Sequence, residues 1–556
     1  FVPIIHAFRG LDLTDTGFLA TNQQLLFRSP EHVSYWFHLW LTNAIGALVY
    51  EVSGGGGLIA LKLASAVIFW ITAWGVAELY RPFLGSSALW IGLVLSLVFS
   101  FDQKINIVHY NNLSALFYVW GIAFLVRGTF CRKPGLWALS GAVLALNFFV
   151  RLPNVIGLGL VLLVPASNWL SKDAGLKVEI SGRFFLAYAV GIAAAVFGVL
   201  GVMKLLGHYD LYIESLRALT SETADAGSRY GLVVVLLRPV KAFFQAALVG
   251  GVAAVLLAAA GLVIRRIDSR YVRLTFYTGI AVLTTILSTL PIQPKFFHLA
   301  VAGLVYWITF AALLTRAFLF DRGVRLALTL SAGVILCLSF GSDTIISVST
   351  YAFGSALTAL FLWFLHVEES GLSLPKGRVL MFHGLAALLG IAGIMYSVVS
   401  LWTGVYRDTY LLGTTSSVPM LSHIATSPER AKELDEVVPR IQTLAPEGSE
   451  VLMADSLGLL HFATKTLPYL GNPWPVLWTE PEIEVRLEAR ARSGPLPLVV
   501  LARNNPRYGW PVSARLPDRI EPFRRFVRDR GYELSWRSDA TELWVPPSEG
   551  PEGALP

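Results

Sequence analysis

The sequence predicts a polytopic α-helical membrane protein that ends in a water-soluble α/β domain, and three observations support this fold class. First, 55% of its 556 residues are hydrophobic and only 15% are charged, with a mean hydropathy of +0.60, whereas soluble proteins are about 25% charged. Second, apolar runs long enough to cross a bilayer as helices recur along most of the chain. Third, the chain becomes charged and polar after Trp402.

About twelve apolar runs, bounded by charged residues, Pro or Gly, are candidate membrane spans. They cover residues 56–80, 86–101, 113–126, 136–150, 153–170, 184–203, 240–264, 274–290, 297–315, 325–341, 343–365 and 379–402. The opening FVPIIHAF is too short to cross a bilayer, and we interpret it as the end of a further helix. The sequence therefore predicts about 12 to 13 transmembrane helices.

The loops between these runs differ in charge in a way that predicts their orientation. Loops retained in the cytoplasm are enriched in Lys and Arg. One alternate set of loops is much richer in these residues than the other, and the richer set includes Arg81, Arg127, Lys133 and Arg183. We therefore expect the opposite loops, including residues 9–55 and everything after about residue 403, to lie outside the plasma membrane.

The segment after Trp402 alternates charged helical patterns with short apolar strands. Helices are predicted in PERAKELDEVVPRIQ and EPEIEVRLEARARS, and strands in EVLMAD, PLVVLA and on both sides of the polar turn in YELSWRSDATELWVPP. We divide the chain into a first external loop at 1–55, a transmembrane domain at 56–403 and an extracytoplasmic α/β domain at 404–556.

Several classes of function find no support in the sequence. It has no P-loop, no zinc-ligand spacing and no Gly-x-Ser-x-Gly elbow. Its net charge of +7 is explained by the cytoplasmic loops of a membrane protein, so nucleic acid is not an expected partner. Cys131 and Cys337 fall at different membrane levels, which argues against a disulfide.

The first external loop contains the most informative polar residues. Asp12 and Asp15 lie together in it, and Thr14 or Asp15 is suited to cap a helix running to Phe27. Capping alone could explain these residues. The following segment, 34–50, is rich in Trp and Tyr and is typical of a helix in the membrane interface. The alternative interpretation is therefore a platform that holds carboxylates at the membrane surface for chemistry.

On these features the sequence resembles the GT-C superfamily of membrane glycosyltransferases, such as protein O-mannosyltransferases and the bacterial lipid A aminoarabinose transferase. Asp15, in LTDTGFLATNQQLLF, stands where the acidic motif of that family has its Asp. Thr16 stands where many members have a second acid, and whether Asp12 substitutes for it is left open. The chain lacks a Trp-Trp-Asp motif in its C-terminal domain and a Lys-Pro-Pro stretch after the first loop, so the resemblance does not define a subgroup.

The resemblance implies an inverting glycosyltransferase that moves a sugar from a polyprenyl phosphate or pyrophosphate to an acceptor hydroxyl on the outer membrane face. The acceptor would be a glycan, a lipid or a protein. Asp15 would be the general base, and Asp12 a supporting or metal-binding acid. A divalent metal is compatible with the resemblance, because some members use one, but the sequence identifies no ligand set.

The few cations in the outward loops are the remaining candidate site residues. Arg151, between two apolar runs, matches a place where the family has a cation facing the lipid phosphate, although snorkelling to headgroups is an alternative. The other candidates are Lys295 and Lys104 as phosphate contacts, and His109, His298, Arg9 and Arg28 as secondary residues that could also be structural.

Two other functions are compatible with a polytopic membrane protein. One is a non-catalytic scaffold of GT-C architecture in a cell-surface assembly. The other is a transporter for lipid-linked sugars, but that function favours internal symmetry and acids within the spans, and the sequence has neither.

Overall fold

The computed structural model describes residues 2–81, 107–170, 180–224, 237–252, 299, 302–303, 305–307, 309–310, 322–340, 412–454, 457–503 and 520–547. Four of the predicted spans, 86–101, 274–290, 343–365 and 379–402, lie outside these residues, and so do the candidate site residues Lys104, Lys295 and His298.

The first part of the chain, up to residue 52, is helical. It forms α1 (Val2–Ala7), α2 (Asp15–Leu25), a 3₁₀ segment (Pro30–Leu39) and α3 (Trp40–Val52).

Further helices follow, most of them apolar. They are α4 (Gly57–Tyr80), α5 (Tyr110–Phe130), α6 (Pro134–Val150), a 3₁₀ segment (Leu152–Leu162) continued by α7 (Leu163–Leu170), α8 (Gly182–Leu205), α9 (Tyr209–Ala224) and α10 (Arg322–Ser339). In the part of the chain that the structure describes, four are long and apolar enough to span a membrane: Gly57–Tyr80, Tyr110–Phe130, Leu152–Trp169 and Gly182–Leu205. The prediction of an integral membrane protein is confirmed. Its only two cysteines, Cys131 and Cys337, are free thiols.

Glycines allow two of the membrane helices to pack closely. A Cβ on Gly191 would lie 1.8 Å from the backbone oxygen of Ala138, and one on Gly141 would lie 2.2 Å from that of Tyr188. Small residues are common where helices meet in a membrane, since they let the backbones approach. These two glycines therefore permit the contact between α6 and α8.

Hydrogen bonds show which helix ends share a membrane face with the first loop. Gln23 of α2 donates to the backbone oxygen of Val108, beside the start of α5. Thr42 of α3 donates to the backbone oxygen of Val150, where α6 ends. At the other ends of the helices, Glu78 pairs with Arg81 and Arg127. The cation-rich ends therefore lie opposite the first loop.

The C-terminal part is an α/β unit. Its strands are β1 (Thr414–Thr415), β2 (Ala425–Thr426), β3 (Glu450–Ala454), β4 (Leu467–Pro468), β5 (Leu498–Ala502), β6 (Glu533–Arg537) and β7 (Thr541–Val545). Its helices are α11 (Pro428–Leu444), α12 (Gly458–Thr464), α13 (Glu480–Ser493) and α14 (Glu521–Asp529).

Five of these strands form one mixed sheet in the order β4-β3-β5-β7-β6. Strand β3 pairs in parallel with β4 and β5, and β7 is antiparallel to β5 and β6. The helices and strands predicted after residue 427 are confirmed, including the two strands around the polar turn near Ser538. Helices α12 and α14 were not predicted.

The first loop and the C-terminal unit share one hydrophobic core. Leu11, Leu13 and Phe18 belong to the same buried cluster as Leu434 and Val451. Helices α2 and α12 approach so closely that a Cβ on Gly17 would lie 2.2 Å from the backbone nitrogen of Leu459. The two regions are therefore on the same side of the membrane and packed as one body.

Segment 34–50 covers part of the 3₁₀ segment and most of α3. Its tryptophans are buried in the protein instead of facing lipid headgroups. Trp36 stacks on Phe18 with ring centroids 4.4 Å apart and donates from Nε1 to Asn472. Trp40 donates from Nε1 to His208, just after α8. Packing against the C-terminal unit and against α8 satisfies these indole groups.

Candidate functional site

The turn that contains both acids of the first loop is residues 12–16, the acidic turn. Asp12 is 2% exposed. Its Oδ1 accepts from the backbone N–H and the hydroxyl of Thr14, at 3.1 and 2.6 Å, and its Oδ2 accepts from the backbone N–H of Thr16 at 2.7 Å. Thr14 occupies the N-cap position, as predicted, but its side chain makes no capping hydrogen bond. Asp12 binds the free N–H groups at the start of α2, as a carboxylate favours at a helix N-terminus.

Asp15 is the first residue of α2 and is partly exposed. The hydroxyl of Thr14 lies 3.4 Å from Asp15 Oδ2. The position at the positive end of the helix dipole stabilises a carboxylate. Of the two acids, Asp15 is the one that solvent or a substrate can reach.

The backbone just before the acidic turn is held by two buried cations that the sequence did not single out as site residues. Lys62 of α4 donates from Nζ to the backbone oxygens of Arg9 and Gly10, both at 2.9 Å. Arg430 of α11 donates from Nη1 to the backbone oxygen of Leu11. A lysine inside an apolar run was a detectable signal. Arg430 gave none, because it belongs to a charged helical pattern that looks solvated.

Arg151 is buried at the point where α6 ends, and its guanidinium does not snorkel to the surface. Its Nη2 donates to the backbone oxygens of Leu338 and Phe340, at 3.1 and 2.9 Å, where α10 ends. Two longer contacts of 3.4 Å join it to the side-chain oxygens of Asn111 and Asn154. Among the described residues no carboxylate pairs with Arg151, so its positive charge is balanced only by neutral dipoles.

His109 lies beside Arg151 at the start of α5. Its Nδ1 accepts from the backbone N–H of Asn111 at 3.0 Å, so the ring carries its proton on Nε2 when it is neutral. That Nε2 and the Nε of Arg151 are both buried without a hydrogen-bond partner in the described part of the chain. The pair is next to the ring of Tyr110. We call His109, Tyr110, Asn111, Arg151 and Asn154 the arginine cluster.

Arg9 and Arg28, the two secondary arginines, do not pair with Asp12. Arg28 forms an exposed ion pair with Glu51 at 2.8 Å, and this hydrogen bond raises the pKa of Arg28 and lowers that of Glu51. Arg9 donates to the backbone oxygen of Leu412 at 3.5 Å. Both arginines therefore contribute contacts around the first loop.

The acidic turn and the arginine cluster lie toward opposite ends of α2. Asp15 begins this helix, and Gln23, eight residues or about 12 Å further along the axis, donates to Val108 next to His109. Within the described ranges, no group of three His, Cys, Asp or Glu side chains could hold a metal ion. The structure brings together His109 and Arg151, and separately Asp12 and Asp15.

His461 of α12 is buried, and His38 of the first loop is partly buried. Burial, together with the nearby His32, lowers the pKa of His461 to about 3. Burial also lowers the pKa of His38 to about 4, although a hydrogen bond to Tyr35 opposes this effect. Both rings are therefore neutral at physiological pH.

Comparison with known proteins identifies the fold. No protein-family sequence profile matches the chain, and neither does any curated protein sequence. Among solved structures, ArnT from Cupriavidus metallidurans in the apo state is 13% identical, with a TM-score of 0.50 and coverage of 98% of this chain and 95% of that one. The same enzyme bound to undecaprenyl phosphate is 15% identical, with a TM-score of 0.43 and the same coverage.

A more distant structure is the archaeal oligosaccharyltransferase AglB from Archaeoglobus fulgidus, in complex with an inhibitory peptide and a dolichol-phosphate. It is 14% identical, with a TM-score of 0.45, and the match covers 89% of this chain and 66% of AglB. The likeness to apo ArnT, over nearly the whole length of both chains, establishes the architecture. The chain is an integral membrane protein with the GT-C fold, as the sequence predicted.

Proposed function

We propose that the protein is an inverting membrane glycosyltransferase. It moves a sugar from a polyprenyl-phosphate or polyprenyl-pyrophosphate donor to a hydroxyl of a glycan, lipid or protein acceptor. The acidic turn and the C-terminal unit, with the expected limits 404–556, face outward from the plasma membrane. This orientation is supported by the cations Arg81 and Arg127 at the opposite helix ends.

The arginine cluster is the observation that carries this proposal. A buried guanidinium costs several kcal/mol unless something compensates its charge, and no described carboxylate does so for Arg151. Two buried N–H donors, on Arg151 and His109, also have no acceptor among the described residues. A phosphate oxygen would supply both the missing charge and the missing acceptors. The donor's lipid phosphate is the group of a GT-C substrate that fits this chemistry.

In the reaction, Asp15 takes the proton of the acceptor hydroxyl while the oxygen attacks C1 of the sugar. The bond between C1 and the phosphate oxygen breaks in the same step, so the configuration at C1 inverts and the electron pair leaves on the phosphate. A positioned base contributes about 10²- to 10⁴-fold. Fixed cations near the leaving phosphate lower the barrier further.

Asp12 has a different role in this scheme. Its carboxylate accepts hydrogen bonds from donors of its own turn, so in this scheme it orients Asp15 and does not accept the substrate's proton. Lys104, Lys295 and His298 remain proposed donor contacts from the sequence. Any divalent metal is left without assigned ligands.

Lipid binding tests the arginine cluster. The full chain, purified in mild detergent and delipidated, is titrated with undecaprenyl phosphate and with inorganic phosphate. We expect Arg151→Lys to bind the lipid and Arg151→Gln to bind it at least tenfold more weakly. Asn111→Asp keeps the shape and gives Arg151 a counter-charge, so it should also weaken binding. The far-face variant Arg81→Gln is the control. Equal binding by all variants would disprove the phosphate site.

The rate of sugar transfer tests the proposed role of Asp15 as the general base. Membranes containing the protein are supplied with a polyprenyl-phosphate sugar, and release of polyprenyl phosphate is followed. We expect Asp15→Asn to lower the rate by 10² or more while the protein elutes as the wild type does. Normal release by a correctly folded Asp15→Asn variant would favour the scaffold function instead.

A further inference from the structure

Three successive backbone oxygens, those of Arg9, Gly10 and Leu11, precede the acidic turn and accept hydrogen bonds from two charged side chains. Lys62 donates to the first two, and Arg430 donates to the third. Lys62 is 2% exposed and Arg430 is 1% exposed. Buried loop carbonyls need donors, and here both donors carry a positive charge.

The two cations come from different parts of the protein. Lys62 stands near the start of the membrane helix α4, whereas Arg430 is in the first turn of α11 in the C-terminal unit. The backbone at Gly10 also contacts the C-terminal unit directly, because its N–H donates to the backbone oxygen of Ala425 at 2.7 Å. Gly10 has a φ of 76°, a left-handed conformation that favours glycine. The segment is therefore held between membrane and C-terminal elements.

From this geometry we infer that Lys62 and Arg430 are positioning residues for the acidic turn, and that the C-terminal unit is thereby a working part of the site. This inference rests on the proposed function for its catalytic consequence. Its physical basis is charge as well as hydrogen bonding. The two cations hold the residues next to Asp12 and Asp15, and buried charges of opposite sign in one region reduce each other's desolvation penalty.

Charge and hydrogen bonding can be separated by substitution. Lys62→Gln and Arg430→Gln retain a polar donor but remove the charge, whereas Lys62→Arg and Arg430→Lys retain the charge. Arg440→Gln is the matched control for Arg430. Arg440 is an exposed cation on the same helix, and it contacts Glu436 and Trp536 but not the first loop.

The first measurement is amide hydrogen exchange of residues 9–16 in the purified full chain. We expect each Gln variant to accelerate exchange there about tenfold, each charge-retaining variant to stay within about threefold, and Arg440→Gln to match the wild type. Unchanged exchange in both Gln variants overturns the inference, whether or not the protein is a transferase. If a Gln variant does not fold, the charge-retaining variant at that position decides. Exchange of residues 9–16 within about threefold of the wild type supports positioning by charge, and faster exchange there or along the whole chain refutes it.

The second measurement is transfer kinetics, which detects a role beyond stability. Positioning of the acid predicts that the Gln variants lower kcat about tenfold with little change in KM for the donor, and that the charge-retaining variants restore kcat. Because both cations hold the same segment, the double Gln variant should lose less than the product of the single losses. A normal kcat with accelerated exchange would refute the catalytic consequence. Absence of transfer by the wild type with any polyprenyl-phosphate sugar would refute the proposed function but leave the exchange result valid.

Discussion

The acidic turn and the arginine cluster are both polar sites on one membrane face, but they are built in opposite ways. In the acidic turn the acceptors of Asp12 are filled by donors of the same turn. In the arginine cluster, donors on His109 and Arg151 lack acceptors among the described residues. Both carboxylate oxygens of Asp12 thus have hydrogen-bond partners, whereas two buried donors of the arginine cluster have none in the described ranges.

The supports of the two sites differ as well. The acidic turn is packed against the C-terminal unit, where Leu459 donates its backbone N–H to Leu13. The arginine cluster is built from membrane-helix ends, and Arg151 is held by the last residues of α10. The C-terminal unit therefore packs against the acidic turn, whereas the ends of the membrane helices hold the arginine cluster.

The largest expected effect tests the packing of the acidic turn on the C-terminal unit. Gly17→Ala places a Cβ against the backbone of Leu459, so α2 and α12 must separate, at a cost of about 3 kcal/mol. Thermal unfolding in mild detergent measures this loss. Gly198→Ala is the control, because a Cβ there meets nothing within 4 Å. Equal unfolding temperatures for the two variants would contradict the shared core.

The next largest effect is the pH dependence of stability, which depends on His461 in the C-terminal unit and not on the arginine cluster. His461 is neutral in the fold with a pKa of about 3, while an unfolded His has one near 6.5. The unfolded state therefore binds more protons between these values, and stability falls as the pH drops below about 6.5. At pH 4.5 the loss from this residue is about 2 kcal/mol.

Thermal unfolding between pH 7 and pH 4.5 tests this expectation. His461→Gln removes the titrating ring, so its unfolding temperature should fall less steeply with acidification than that of the wild type. Parallel pH curves for the two proteins would mean that His461 does not control acid stability. The lipid binding of the variant at pH 7 should remain that of the wild type, because His461 packs in the C-terminal unit, where its Nδ1 bonds to Thr466.

A substitution of Asp12 tests the hydrogen bonds that its carboxylate accepts within the acidic turn. Asp12→Asn replaces one carboxylate oxygen by an NH₂ group, which cannot accept a hydrogen bond. The NH₂ group then faces a donor of Thr14 or of Thr16, and that hydrogen bond is lost. We expect a loss of about 1.5 kcal/mol in stability, measured as the unfolding temperature, with undecaprenyl phosphate binding unchanged. Weaker lipid binding in a folded Asp12→Asn variant would mean that the two sites are not separate.

The smallest expected effect is at Arg28. Its ion pair with Glu51 is exposed, with side chains 47% and 38% accessible, and such pairs contribute about 0.5 kcal/mol. Arg28→Gln should therefore change the unfolding temperature by a degree or two at most and leave lipid binding intact. A loss of lipid binding would return Arg28 to the candidate site.

Residues with strong local patterns were predicted well. The strand Leu498–Ala502 is an apolar run between turns, and the helix Glu480–Ser493 has a charged helical pattern with a capping box at Thr479, so local chemistry is sufficient to define both. Reliance on local patterns also explains why the burial of Trp36 was not predicted. A tryptophan near a span is typical of a membrane interface, and nothing nearby in sequence reveals that Asn472 accepts from it.

The sequence by itself determined the membrane class and the helices and strands with strong local patterns, because hydropathy and periodicity act over neighbouring residues. Only the tertiary structure decided that both carboxylate oxygens of Asp12 accept hydrogen bonds. It also decided that Arg151 is buried with no carboxylate partner among the described residues, and that Lys62 and Arg430 both donate to residues 9–11. Arg430 is separated from Leu11 by 419 positions, and contacts over such a distance arise from packing of the whole chain, which no local pattern encodes.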